Sequence, residues 1–294
     1  MKRTLFLLCF NLFFLSLIAQ TNNDSFYVNY NYFPGREMQN FDGKADYSQV
    51  EANAILPTAK LGRRVEFYTV VNYKYANYDY DNNELFYFPD QLHDFRVGII
   101  FRYLFGPNFE GILSPRMNAR TDFEEKFGSK DLFPSAYMLL IRKSASIKNL
   151  SFGIGVSYNN DLNRNSILPL GYLKYKNSWM RAYAILPSFA YVLMTPNPRV
   201  EYGLAYNLDA SIFHTESIIT TDTPNYLRTR NITISPTFSY NFADVFWVNT
   251  KIGYALPGDY EFLDANFDAV DFSKDNHFKS GIFLNLGVSL RISK

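Results

Sequence analysis

The chain has one cysteine, Cys9, in 294 residues, and it lies inside the apolar run that opens the sequence. Removal of that run leaves no cysteine, which excludes disulfides and thiolate metal sites from the mature chain. A lipid anchor would need its cysteine at the end of the run, where there is none. Tryptophan is also scarce, with 2 residues against 23 Tyr and 28 Phe. Net charge is small: 29 Lys and Arg against 28 Asp and Glu give +1, and loss of the two charges on Lys2 and Arg3 takes it to −1. No nucleic-acid partner is expected from such a balance. After residue 20 no apolar run approaches the about 20 residues of a spanning helix, and mean hydropathy is −0.18. Such a mature chain is either soluble or a membrane barrel, because barrels hide their apolar surface in alternation.

The first residues read as an export signal. Lys2 and Arg3 precede an apolar run from Leu5 to Ile18, and Ala19 and Gln20 lead into the polar stretch Thr21–Ser25. Charged start, apolar centre and small-residue exit are the order of a Sec signal peptide. Residues 1–20 are therefore expected to be the signal and residues 21–294 one domain.

Side chains on a strand point to opposite faces with period two. In the last segment Ile282, Leu284, Leu286, Val288, Leu290 and Ile292 share one face, while Asn285, Gly287, Ser289 and Arg291 lie on the other. The same alternation runs through Leu150–Asn159, Val200–Ile212, Asn231–Phe242 and Asp94–Phe105. These segments are about 10 to 16 residues long, whereas strands of soluble folds run about 5 to 6 and an outer-membrane strand needs about 9 to 11. Tyr and Phe gather near segment ends, as at Tyr73, Tyr75, Tyr78 and Tyr80, at Phe86–Phe88 and at Phe238, Tyr240 and Phe242. That distribution fits the aromatic girdles of a barrel.

Connections alternate in length. Those around 61–62, 106–108, 147–148, 176–177, 196–197 and 243–244 are short; those at 34–45, 79–92, 122–134, 214–228 and 257–277 are long and polar. Short periplasmic turns and longer outer loops are the rule for outer-membrane barrels. The segment Trp179–Met194 decides the count. Read as a hairpin pinched at Leu186–Pro187 it gives fourteen strands; read otherwise, twelve. The expected fold is all-β, a transmembrane antiparallel up-and-down β-barrel of about 14 strands.

The chain resembles uncharacterised outer-membrane barrel proteins grouped as a domain-of-unknown-function family. The resemblance lies in Tyr27-Val28-Asn29-Tyr30-Asn31-Tyr32, Ala54-Ile55-Leu56-Pro57, the Tyr-rich strand through Tyr80, Ile167-Leu168-Pro169-Leu170-Gly171, and Asn177-Ser178-Trp179 leading to Leu186-Pro187. It implies fold and outer-membrane location, and carries over no catalytic residue.

Charge facing lipid costs about 2–4 kcal/mol at the midplane, so charged residues of the strands are assigned to the lumen. These are Glu51, Arg64, Glu66, Lys74, Arg96, Arg102, Glu110, Arg116, Arg120, Arg199, Glu201, Lys251 and Arg291. They read as a mutually paired polar network or as a solute path favouring anions. His93, His214 and His277 fall at outer loops as solvated side chains, and the acidic residues of 79–92 and 257–277 read as a solvated surface. The expected function is a passive pore or a structural or surface barrel, without cofactor or metal. Its partners would be outer-membrane lipid, the barrel-insertion machinery and small solutes. A barrel hydrolase at the outer rim and a soluble secreted ligand-binding β-protein are the alternatives.

Overall fold

Alternating side chains become the two faces of one curved wall. The structure, a computed structural model, describes residues 24–81, 88–124, 126–161, 165–215 and 225–291. Fourteen antiparallel strands close into a barrel. They are β1 (Asp24–Glu37), β2 (Lys44–Leu61), β3 (Val65–Tyr80), β4 (Gln91–Leu104), β5 (Phe109–Thr121), β6 (Leu132–Lys143), β7 (Leu150–Asn159), β8 (Ser166–Lys176), β9 (Met180–Leu186), β10 (Phe189–Asn197), β11 (Val200–His214), β12 (Tyr226–Ala243), β13 (Phe246–Ala255) and, after two short strands in the last long loop, β16 (Gly281–Arg291). Those two are β14 (Gly258–Leu263) and β15 (His277–Phe278).

Consecutive barrel strands pair with each other, and the first pairs with the last, from Phe26↔Leu290 to Tyr32↔Leu284. The segment after Trp179 forms the hairpin β9–β10, in register from Met180↔Met194 to Ile185↔Phe189. Its tight turn at Pro187 lies at the long-loop end, so the long connections all fall on one side of the barrel, and the count is fourteen.

Which face is which follows from exposure. On β16, Ile282, Leu284, Leu286 and Val288 are exposed while Phe283, Asn285 and Ser289 are buried. On β12, Ile234, Phe238, Tyr240 and Phe242 are exposed, and Asn231, Thr233, Ser235, Thr237, Ser239 and Asn241 are buried. A soluble protein rarely leaves a large continuous apolar surface in water; here one encircles the barrel. Exposed rings gather near the short-turn end, at Phe105, Phe109, Phe152, Trp179, Phe242 and Phe246. Exposed tyrosines Tyr73, Tyr158 and Tyr254 ring the wall nearer the long-loop end. Where strands pack tightly, glycine is required: a Cβ on Gly203 would lie 2.0 Å from the Val192 carbonyl oxygen.

The two faces predict opposite responses to one charge. Leu286→Arg, on the outward face, is expected to cost about 2–4 kcal/mol, whereas Asn53→Arg, on the lumen face, costs much less. Urea midpoints of the barrel refolded in phospholipid vesicles read the difference; equal shifts would invert the assignment of faces.

Candidate functional site

The interior is stratified. At the long-loop end, side chains from opposite walls meet in an aromatic seal. Phe33, Tyr47, Tyr78, Phe88, Leu92, Phe213, Leu227, Tyr260, Phe262, Phe278 and Phe283 form one buried cluster. The rings stack in series, Phe33 on Tyr47 at 4.8 Å and Tyr47 on Tyr78 at 4.6 Å, and Tyr78 meets Tyr260 edge-on at 5.4 Å. The Tyr80 and Tyr260 hydroxyls lie 2.6 Å apart. A second cluster of Phe133, Ile212 and Leu263 lies beside it, and there β11 and β5 touch across the barrel at His214↔Thr121.

Two sequence expectations are corrected at this end. The long segment 257–277 is not simply a solvated loop. Its strand β14 pairs with the top of β12, from Tyr226↔Leu263 to Thr229↔Tyr260. This sends Tyr260 and Phe262 into the seal and brings Glu261 onto Arg228 and Asp259 onto Arg230 (2.6 Å). Burial raises the Asp259 carboxyl pKa, against the pull of Arg230. Likewise Tyr78, near the end of β3, and Phe88, in the connection after it, are interior rather than girdle residues, packed in the buried cluster at the mouth. Phe86 and Tyr87 lie outside the described residues.

Arg36 holds this end together. Its side chain is almost fully buried at 2% exposure. Nη1 donates to Asn231 Oδ1 (2.7 Å), Nη2 to the carbonyls of Leu256 (3.0 Å) and Lys279 (2.9 Å), and Nε to the Lys279 carbonyl (3.0 Å). One guanidinium thus ties both necks of the 256–280 segment to the wall, with its plane over Phe278 at 5.1 Å.

Below the seal, Lys74 of β3 pairs with Asp209 of β11 across the lumen, and Gln49 Nε2 donates to the same carboxylate (3.1 Å). Beneath lies a cavity of about 740 Å³. Seven basic and four acidic side chains line it: Arg96, Arg102, Arg116, Lys174, Arg181, Lys251 and Arg291 against Glu51, Glu110, Asp161 and Asp209.

The residues assigned to the lumen by sequence divide as follows. Glu51, Arg96, Arg102, Glu110, Arg116, Lys251 and Arg291 line the cavity, and Lys74 pairs with Asp209 above it. Glu66 and Glu201 stand just behind, each between two cations. Glu66 takes Arg102 (2.9 Å) and Lys60 (2.9 Å), and Glu201 takes Arg181 (2.7 Å) and Arg291 (2.6 Å). Arg120 is fully buried between Asp94 (3.1 Å) and Asp161 (2.6 Å). Arg64 and Arg199 are corrections: both sit exposed in short turns outside the strands, because alternation cannot assign a face once the backbone bends. Sequence reasoning missed Lys174, Arg181, Asp161 and Asp209 as lumen groups. Asp209 was readable, since it alternates with Leu208 and Ala210.

The histidines are also placed. His214 is buried, its Nδ1 2.9 Å from Asp131 Oδ1, which corrects its expected solvated position. His93 Nδ1 meets the Tyr73 hydroxyl at 2.9 Å, and His277 Nδ1 lies 2.9 Å from the Asp275 carbonyl. Among the described residues no three metal-ligating side chains come together.

A family model described as Domain of unknown function (DUF6268) matches residues 15–291, and the chain belongs to that family. No curated protein matches it in sequence. Among solved structures it is similar to the COG4313 outer membrane channel from Pseudomonas putida F1, at 12% identity, covering 93% of this chain and 97% of that one, with a TM-score of 0.43. It is also similar to a TodX monoaromatic hydrocarbon channel mutant (11%, 95% and 92%, 0.42) and to the NanC porin (10%, 90% and 98%, 0.39).

Arg36→Ala leaves the buried Phe278 carbonyl and the half-buried carbonyls of Leu256 and Lys279 without this donor; a buried group left so costs about 1–3 kcal/mol. The expected outcome is protease cleavage within 256–280 while heat-modifiable gel migration persists. Resistance equal to that of the unaltered chain would show that the segment is held without Arg36.

Proposed function

We propose that this member of the DUF6268 family is a passive outer-membrane transport barrel, exported by a Sec-type signal and placed in the membrane by the barrel-insertion machinery. Its lumen takes small solutes, with anions favoured. One observation carries this reading: a sizeable charged cavity, with an excess of basic groups, lies inside a wall whose outer face is apolar. A water-filled interior screens and pairs such charges, and a ring of excess cations favours anions. The aromatic seal makes the described state a closed one. The engagement of the histidines with Asp131, Tyr73 and a backbone carbonyl supports a non-enzymatic role, since a Ser-His hydrolase needs a serine within reach of the imidazole.

In planar bilayers the unaltered barrel is expected to be quiet, and Arg36→Ala with Tyr260→Ala to open discrete steps that favour anions. Arg96→Glu with Arg116→Glu in that background should move the reversal potential toward cations. A correctly folded double variant that stays silent would remove the transport reading and leave a structural barrel.

A further inference from the structure

We propose that the cavity opens sideways into the bilayer, through a gap in the wall above the β9–β10 hairpin, and that its ligand is a small amphipathic anion passing by that gap. The ligand's passage rests on the transport reading above; the gap does not.

The first argument is length. β9 has 7 residues and β10 has 9. At about 3.3 Å per residue and the usual tilt near 40°, seven residues climb roughly 18 Å, short of the ~25 Å apolar band. Trp179, exposed in the turn at the hairpin's base, suits the lower interface, so the tip stops within hydrocarbon.

The second is pairing. The β8–β9 ladder ends at Gly171↔Leu186, and Ser166–Leu170 of β8 continue beyond it paired only to β7. The β10–β11 ladder ends at Phe189↔Asn207, and above it Leu208–His214 of β11 continue beside β12. Past the Leu208 N–H, which donates to the Ser188 carbonyl at 2.8 Å, no β10 backbone stands opposite. Between Leu208 and His214, where β11 turns in to meet β5 at Thr121, no described strand pairs with this edge of β11, and the hairpin is missing between it and the free edge of β8.

The third is composition. From Ala182 to Thr195 the chain carries no charge. The other connections at that end are polar, with Asp42, Asp81, Glu124, Asp161 and Asp268 among them. Pro187 has no N–H to leave unpaired in lipid. A charge-free turn fits the depth that strand length gives it.

The cavity behind the gap matches. Its wall there is apolar and aromatic, with Leu170, Tyr172, Tyr183, Ile185, Tyr191 and Leu193. Beside this wall stands a cation, Arg116, which lies opposite Ser135 and level with the Asn159–Ser166 end of β7 and β8 that borders the gap. It donates to Ser114 Oγ (3.2 Å) and lies over the Tyr137 ring at 4.8 Å. It makes no ion pair with a carboxylate among the described residues. An apolar body against the tyrosines with its acidic head on Arg116 satisfies both features, and the strand edges flanking the gap give a polar group a route through hydrocarbon.

The test uses the full chain carrying Cys9→Ser, in which Ser188→Cys supplies the single thiol. In vesicles, bimane on that thiol should lose at least about half its fluorescence to nitroxides on lipid acyl chains, and the free thiol should resist a membrane-impermeant maleimide. Ala265→Cys, in the outer segment, should behave oppositely. A hairpin-tip thiol labelled from water, with its bimane unquenched, would overturn the gap; Leu186→Cys repeats the measurement if Ser188→Cys fails the heat-modifiability check. For the ligand, calorimetry with decanoate and decanol on the barrel in nanodiscs, corrected by empty nanodiscs, should show decanoate bound. Arg116→Gln should weaken decanoate about tenfold and leave decanol unchanged. No decanoate binding, or equal loss for both compounds, would overturn the ligand. If the folded Arg36→Ala, Tyr260→Ala variant stays silent in bilayers while the hairpin-tip bimane is quenched by lipid, transport is sunk and the gap stands; if that variant conducts while the bimane sits in water, the reverse holds.

Discussion

Hydrocarbon offers a peptide group nothing to bond with, and that constraint orders this molecule. An unpaired strand edge in lipid is costly, so the first strand finds the last, and β1 joins β16 to complete the cycle. Once the wall is a cycle, each residue has two possible environments. Along β16, and along β12 from Asn231 to Asn241, the aliphatic residues take the outside, and Asn, Ser and Thr take the inside. The same rule gives meaning to the one hairpin too short to complete the wall beside β8 and β11.

Inside, the order of layers follows from what each can tolerate. Ion pairs such as Arg102–Glu110 and Arg291–Glu201 sit where the lumen is wide. Their net contribution to stability is small, because desolvation offsets much of the attraction; their role is to set the sign of the interior. Toward the long-loop end the walls converge. There the Lys74–Asp209 pair spans the space and the rings of Phe33, Tyr47, Tyr78 and Tyr260 exclude water above it. Burying these rings offsets the entropy of ordering the segment that carries Tyr260 and Phe262.

The wall was legible in the sequence because its cause is local: period-two alternation needs only a residue and its neighbours. The hairpin at Leu186–Pro187 was legible through loop lengths, and the inward face of Arg96, Arg102, Glu110 and Arg116 through their place in the alternation. The seal was not. Tyr78 and Tyr260 are 182 residues apart, and nothing local distinguishes a tyrosine of a girdle from one in a closed mouth. His214 was misplaced for the same reason, since its partner Asp131 comes from a turn across the barrel. Arg64 and Arg199 show the limit of alternation itself, which lapses where strands turn.

Arg36 carries one more consequence, for the order of assembly. It lies near the end of the first barrel strand, yet its acceptors Leu256, Phe278 and Lys279 are 220 to 243 residues away. Contacts so distant wait until the intervening chain is ordered, and these need β1 and β16 already side by side. The mouth therefore shuts only after the seam has zipped. A barrel caught with its seam unzipped would stand open at the top, and the guanidinium serves as a latch that engages when the circle is complete.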